Sequence, residues 1–322
     1  MAPNQQVLII GAGLAGLSAA RHLAAASIPA LVIDKGRGVG GRMATRRSGE
    51  ATFDHGAQFF SAKTPAFQDF VKNAEAQGAI REWWPIIPDT LHSRWVGVPG
   101  MSAVPKLMAQ HLTVITGKRL VQIEAIDEGW QVRTEDEETF AGSALLLAIP
   151  APQALELLEN SPVSLPPSAL EPLRDIAYYP CLALLATLDR PSGIPAPGGL
   201  QTNNKVISWL ADNFQKGISQ IPAVTIHASP EFSQTHLNRD LNAAGRLMLE
   251  AAAQYLQPAT VLDWQVHRWR YSLAYQRYPL PFFQAAIAAP LLFGGDGFGI
   301  GNVEGAYLSG LAMAERLLEV FG

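Results

Sequence analysis

The apolar run Val7-Leu8-Ile9-Ile10 passes directly into Gly11-Ala12-Gly13-Leu14-Ala15-Gly16, and no other junction in the chain restricts its fold as much. A short apolar strand that opens through Gly-x-Gly-x-x-Gly into an alanine-rich helix is the pattern of a dinucleotide-binding turn. The first glycine permits the tight turn, the second lets backbone N–H groups approach a pyrophosphate, and the third lets the helix pack on the strand. The helix N-terminus then faces the negative charge. Glycines at this spacing also occur in plain turns, so the context decides. A helix over 17–26, the loop Ser27-Ile28-Pro29 and a second apolar run over 30–33 lead to Asp34, where a ribose-binding acid is expected. The whole reads as a βαβ unit. An ordinary parallel strand pair joined by a glycine turn is the plainer alternative, and the full pattern weighs against it.

At 322 residues, 48% of them hydrophobic, the chain has material for two globular domains. A net charge of -4, without a basic block or a basic-aromatic stripe, argues against nucleic acid as a partner. The run over 7–20 is interrupted by glycines and Ser18 and followed by Arg21-His22, so no membrane span is expected. Met1-Ala2-Pro3-Asn4-Gln5-Gln6 has neither the basic flank nor the apolar core of a secretory signal, and a cytoplasmic, reducing location is expected. Cys181 is the only cysteine, which excludes an intrachain disulfide and a cysteine-rich zinc or iron–sulfur site. It lies in the apolar run 181–188 and reads as a buried core thiol. His-Glu-x-x-His, Gly-x-Ser-x-Gly and lysine P-loop patterns are absent, and no metal is expected.

The segments 150–172 and 190–204 are rich in Pro, Gly, Ser and Asn and read as connections between domains. Short strands over 114–115, 120–126, 130–134 and 139–140 suggest a small antiparallel meander, and 145–149 a buried parallel strand. Near the end, Leu291-Leu292-Phe293-Gly294-Gly295-Asp296-Gly297 repeats the opening logic of strand into glycines, ahead of a helix over 304–321. The chain is therefore expected to return to its first domain. Strands over 206–210, 223–228 and 266–269, with a long helical stretch over 233–256, form the expected second domain.

Asp34-Lys35-Gly36-Arg37-Gly38-Val39-Gly40-Gly41-Arg42-Met43 follows the ribose acid directly, and its Gly-Gly-Arg resembles the FAD-binding pattern of amine-oxidase and p-hydroxybenzoate-hydroxylase-like flavoproteins. Physically, Gly40 and Gly41 admit backbone to the pyrophosphate and Arg42 offsets phosphate charge. Further blocks narrow the likeness: Phe53-Asp54-His55-Gly56-Ala57-Gln58-Phe59-Phe60, Gly97-Val98-Pro99-Gly100-Met101-Ser102, Ile226-His227-Ala228-Ser229, His267-Arg268-Trp269, Gly294-Gly295-Asp296-Gly297-Phe298 and Val303-Glu304-Gly305-Ala306. Together they resemble the renalase family, its bacterial branch most, over nearly the whole chain. The resemblance implies an α/β protein with a Rossmann-like FAD domain over 1–60, 97–150 and 285–322. A second, α+β substrate domain of the p-hydroxybenzoate-hydroxylase-like kind would occupy 61–96 and 151–284.

The same resemblance implies that Gly11, Gly13, Leu14, Ala15, Gly16, Asp34, Lys35, Gly41, Arg42, Met43 and Gln58 hold FAD. Leu120 would pair its backbone with adenine, Gly295 and Asp296 would take the ribityl chain, and Val303 and Glu304 would open a helix aimed at the pyrimidine ring. Its activity would be oxidation of the 2- and 6-dihydro isomers of NAD(P)H by hydride transfer to flavin N5, with oxygen reduced to hydrogen peroxide. His227 is then the preferred catalytic contact, orienting the carboxamide or ring. Phe60, Tyr178, Trp269 and Tyr271 are candidates for an aromatic wall, and His267 and Arg268 for further substrate contacts. A flavin amine oxidase shares the motifs, but such relatives place a lysine near flavin N5 from a later region, and no lysine follows Lys216. Covalent attachment through a C-terminal cysteine is excluded, so FAD is expected to be noncovalent. A carotenoid-type desaturase, or a non-catalytic FAD/NAD(P) binder that senses redox state or docks to a partner, remains as an alternative.

Overall fold

The computed structural model describes residues 6–84, 92–163 and 165–322. Residues 1–5, on which the expectation of no secretory signal rests, lie outside the described residues, as does the part 85–91 of the expected substrate domain. The chain divides into two compact units, Met1–Gly41 with Pro105–Ala177 and Ala274–Gly322, and Arg42–Val104 with Tyr178–Leu273.

In the first unit a six-stranded sheet runs in the order Phe282–Gln284, Leu291–Gly294, Ala144–Leu147, Val7–Ile10, Ala30–Asp34, Thr113–Thr116. All neighbours are parallel except the first pair. Val7–Ile10, Ala144–Leu147 and Leu291–Gly294 are buried at every residue, as a parallel sheet covered on both faces requires. The helices Leu14–Ala25 and Asn302–Phe321 cross closely at two small residues. Ser18 Oγ donates to Tyr307 O at 2.9 Å, and a Cβ on Gly310 would stand 2.1 Å from Ala15 O. A three-stranded meander, Leu120–Ile126, Gly129–Thr134 and Thr139–Gly142, is anchored through the fully buried Trp130, whose Nε1 donates to Pro290 O at 3.0 Å.

Three expectations for this unit are corrected. The strand near 114–115 is not part of the meander; Thr113–Thr116 is the parallel sheet edge, with Thr116 opposite Asp34. The first helix starts at Leu14, so the third glycine lies within its first turn. The segment 150–172 holds two helices, Ala151–Glu159 and Pro167–Arg174; each starts at prolines, where a missing N–H costs nothing, and Pro172 lies inside the second. Ser161 Oγ accepts from Ile123 N at 2.9 Å and ties this segment to the meander, which places 151–177 in the first unit.

The second unit is built on a five-stranded sheet in the order Gly199–Gln201, Ile207–Asp212, Ala223–Ala228, Ala177–Leu188, Val261–Gln276. One face of it packs Leu182, Leu184, Leu210, Val224 and Ile226 against Ala244, Met248 and Ala252 of the helix Leu241–Leu256. The other face receives the hairpin Thr45–Ser48/Ala51–Asp54, whose Ala51 and Phe53 meet Leu185 and Ala223. That packing moves 42–60 out of the expected FAD domain and into the second unit, together with 97–104; conversely 274–284 joins the first. The expected helical stretch over 233–256 is two helices, Pro230–His236 and Leu241–Leu256. Ser229 accepts from Phe232 N and Asp240 from Asn242 N, so each helix has its own side-chain cap. Cys181 is partly buried, and burial pushes its thiol up to about 12. Among the described residues no helix is long and apolar enough to cross a membrane.

Replacing Gly310 with Ala is expected to cost roughly 1–3 kcal/mol, because the added methyl meets backbone rather than a movable side chain. Urea unfolding checks this, and an unshifted midpoint would show that the two helices can reseat.

Candidate functional site

Within the first unit the sheet's carboxyl ends open on a cradle made of backbone. Gly11 has φ +107, and a Cβ there would lie 2.5 Å from Ala148 O. A Cβ on Gly16 would lie 1.9 Å from Gly11 O, so helix and turn could not close on each other. Gly13 caps the helix Leu14–Ala25 without a side-chain cap and has nothing within 4 Å of its Cβ direction. Leu14 and Ala15 are buried in the first turn and offer only their amides. Asp34 braces the turn: Oδ2 accepts from Ala12 N and Oδ1 from Gly36 N, both at 2.6 Å. Each oxygen keeps a second lone pair for a hydroxyl. Gly40 N donates to Ala12 O at 2.8 Å, which brings Gly41 alongside Gly13.

At the other end of the chain, Gly295 has φ +134 and open space at its Cβ direction, and Asp296 follows it, buried. Val303 and the buried Glu304 lie in the first turn of Asn302–Phe321, whose N-cap Gly301 supplies no side-chain cap. Lys35, exposed as a residue, lines a shallow depression with Gly117, Arg119, Glu135 and Asp136; partial desolvation there and then the charge of Arg119 lower its pKa. Leu120 begins the meander next to a β-bulge. Two uncapped helix starts and open glycine faces fit a dinucleotide pyrophosphate.

Within the second unit the loop 54–58 is the centre of a hydrogen-bond network. Asp54 and Lys216 are fully buried, with Nζ 2.9 Å from Oδ2. The Asp54 carboxylate also accepts from Thr45 Oγ1 at 2.7 Å and Met101 N at 2.9 Å. Lys216 Nζ donates as well to Gln58 O at 2.6 Å, so one ammonium holds both ends of the loop. Asp54 O accepts from Thr225 Oγ1 at 2.9 Å and Gln58 Nε2 at 2.7 Å. Gly56 permits the tight passage, since a Cβ there would lie 2.0 Å from Arg42 O.

The loop presents the His55 carbonyl to two rings: Trp269 Nε1 donates to it at 2.8 Å, and His227 Nε2 lies 3.2 Å away. The His55 ring meets His267 edge-on at 4.8 Å and Trp269 at 5.0 Å, and His267 and Trp269 are 4.4 Å apart. Across the strand pair Trp209 stands opposite His227 and packs with Phe59 and Trp83. Burial brings the His55 imidazole down to about 3, helped by His267 and Arg46. Burial likewise brings His227 down to about 4, against its bond to His55 O and with the help of Lys216. His267 is lowered by burial and then Arg46. The cluster is thus neutral at neutral pH. His55 Nδ1, Gln58 Oε1 and Trp209 Nε1 are buried without a hydrogen-bond partner among the described residues, where a bound water can satisfy them.

The structure brings His227, His267 and Trp269 together, separates Arg268 and Phe60 from them, and gives Tyr178 and Tyr271 a pairing of their own. Arg268 points to the opposite face of its strand from His267 and Trp269, because successive strand residues alternate. Phe60 is core rather than wall: it is buried, packs on Phe67 and pairs its backbone with Trp95. Tyr178 and Tyr271 pair with each other at 5.8 Å and with Arg42, whose Nη1 donates to Tyr271 O and Ser272 O. Those bonds give Arg42 work inside its own unit, and Met43 beside it is core. Gln58 braces the loop. Lys216 and Thr225 are not singled out for the site by the sequence, and His55 only as part of a block; the one cue is Asp-His-Gly-x-Gln itself, which names one half of the network.

Residues 9–74 match the NAD(P)-binding Rossmann-like domain family, and residues 86–318 match the flavin containing amine oxidoreductase family. Renalase of Mus musculus is 26% identical over 339 residues, covering 97% of this chain and 98% of that protein. Wild-type putrescine oxidase bound to putrescine shares the fold, with a TM-score of 0.72 at 15% identity, over 98% of this chain and 99% of that one. Among the described residues no group of three or more His, Cys, Asp or Glu is placed to hold a metal ion.

Lys216→Met leaves the Asp54 carboxylate buried and uncompensated, and is expected to cost about 3–5 kcal/mol. Adding Asp54→Asn should recover a large part of that loss in the same unfolding assay; a double variant as unstable as the single one would contradict the pairing. The depressed histidines also set a pH dependence. Between pH 6.5 and about 4 the unfolded chain binds protons that native His55 and His227 refuse, so their contribution is complete above 6.5 and declines as pH falls. The slope is at most about 1.4 kcal/mol per pH unit for each histidine. Urea midpoints between pH 7 and about 5 measure it, and His55→Phe should flatten the profile.

Proposed function

The chain belongs to the flavin containing amine oxidoreductase family, and we propose that it is a renalase-like FAD-dependent oxidase of the 2- and 6-dihydro isomers of NAD(P)H, yielding NAD(P)+ and hydrogen peroxide. End-to-end likeness to renalase supports this reading. The observation that carries it is the second unit's cluster of rings about the His55 carbonyl, whose imidazoles burial holds below the ordinary range. His55, His227, His267 and Trp269 offer neutral, planar faces. The nearby carboxylate, Asp54, is engaged by Lys216, Thr45 and Met101 and so does not answer an ammonium. A neutral dihydropyridine with a carboxamide matches such a face better than an alkylamine does.

FAD would be held noncovalently by Gly11, Gly13, Gly16, Asp34 and Lys35, with Gly41, Leu120, Gly295, Asp296, Val303 and Glu304. When bound, FAD supplies the hydride-accepting N5 and the route for electrons to oxygen. The chain's own contribution is position and dryness: His227 orients the carboxamide, and Trp269 and His267 supply ring faces that exclude water. No side chain is asked to take a proton, in keeping with histidines that stay neutral.

Anaerobic mixing of the purified flavoprotein with 2-dihydro-, 6-dihydro- and ordinary NAD(P)H, and with amines including putrescine, tests the reading through loss of the flavin's visible absorbance. The two isomers should bleach it fastest and form peroxide in air. Faster bleaching by an amine would make the chain an amine oxidase, and no bleaching by any donor would make it a binder rather than an enzyme. Heat or acid should release intact FAD.

A further inference from the structure

The proton on His227 can be placed from its neighbours. A carbonyl oxygen only accepts, and His55 O lies 3.2 Å from His227 Nε2, so a lone pair on Nε2 would face a lone pair. The other neighbour, Gln58 Nε2 at 3.5 Å, has no hydrogen to give, because its two N–H groups go to Asp54 O at 2.7 Å and Gly56 O at 3.1 Å. Nε2 therefore carries the proton. A neutral imidazole holds one, which leaves Nδ1 as a bare acceptor. His227 is partly exposed, and the hydrogen-bond contacts of its ring fall on Nε2. Its direction is held from both sides. Thr225, two residues earlier on the same strand face, bonds Asp54 O, and Lys216 clamps the loop that carries His55 O.

We infer that His227 selects the substrate as a hydrogen-bond acceptor, through an Nδ1 that requires an N–H on the substituent of the dihydropyridine ring and so favours a carboxamide over an acetyl or carboxylate group. The inference rests on the dihydropyridine reading above and adds to it the group that is recognised. Burial keeps this imidazole unprotonated at neutral pH, which preserves the acceptor. An acetyl group has the carboxamide's shape but turns a methyl toward Nδ1, and a carboxylate turns lone pairs toward it. Either leaves the acceptor unpaired once the ring has displaced its water, a loss of about ten- to a hundredfold in selectivity.

Two measurements decide the matter. In histidine-labelled flavoprotein, long-range proton–nitrogen NMR correlations should show His227 with a protonated Nε2 and a bare Nδ1; the reverse pattern overturns the inference. Anaerobic reduction rates should then be compared for dihydro isomers of the nicotinamide dinucleotide and of its 3-acetylpyridine analogue. Wild type should prefer the carboxamide by about ten- to a hundredfold in kcat/KM. That preference should vanish in His227→Phe, which keeps a ring at the position but has no acceptor. Equal rates in wild type, or an undiminished preference in His227→Phe, also overturn it. If neither ring system reduces the protein, the proposed function fails and the NMR pattern still decides the tautomer.

Discussion

A lysine with no exposed surface must be answered by a negative charge, and the pairing of Lys216 with Asp54 is the constraint around which the second unit is arranged. Taking both ions out of water costs several kcal/mol each, and mutual attraction returns that only when the remaining hydrogen-bonding positions are filled. Here they are. Thr45 Oγ1 and Met101 N complete the carboxylate, and Gln58 O takes a second ammonium hydrogen. Burial lowers the lysine's pKa while Asp54 raises it, so the pair opposes its own desolvation. A well-packed apolar pair could occupy the same volume, but it would not hold a side chain and a backbone carbonyl four residues apart. Holding Asp54 and Gln58 together fixes the carbonyl between them, and that carbonyl orients His227 and Trp269.

The two units differ in how much of their chemistry a linear reading can recover. The first builds its cradle from amides and glycine faces, which local spacing encodes: Gly11, Gly13, Gly16 and Asp34 occur within one βαβ unit and meet there in space. Its errors concern edges and prolines. The sequence puts a strand over 114–115 in the meander, whereas Thr113–Thr116 is a sheet edge, because a parallel edge strand and an antiparallel one carry the same short apolar signal. Pro167 marks a helix start as readily as a loop.

The second unit assembles its cluster from positions 54–58, 216, 225–227 and 267–269, which no local pattern joins. Family likeness flagged most of these blocks but not their division of labour. Gln58, expected to hold a cofactor, braces the loop, and Phe60 is core. Strand alternation alone, applied to 267–269, was enough to separate Arg268 from its two neighbours. Lys216 was legible only as the last lysine in the chain, since a buried ammonium leaves no trace until its carboxylate partner is located 162 positions away.

The same ion pair also governs the charge of what it positions. Burial is the largest force keeping His227 neutral, and the neighbouring Lys216 ammonium works in the same direction. Had Asp54 faced His227 unpaired, its negative charge would have favoured the imidazolium, and a donor would stand where the geometry now leaves an acceptor. With the carboxylate saturated and the ammonium's charge opposing protonation, the imidazole stays uncharged and its proton stays on Nε2, aimed at His55 O. Position and protonation state therefore share one cause, and a substitution that relaxed the clamp would alter both at once.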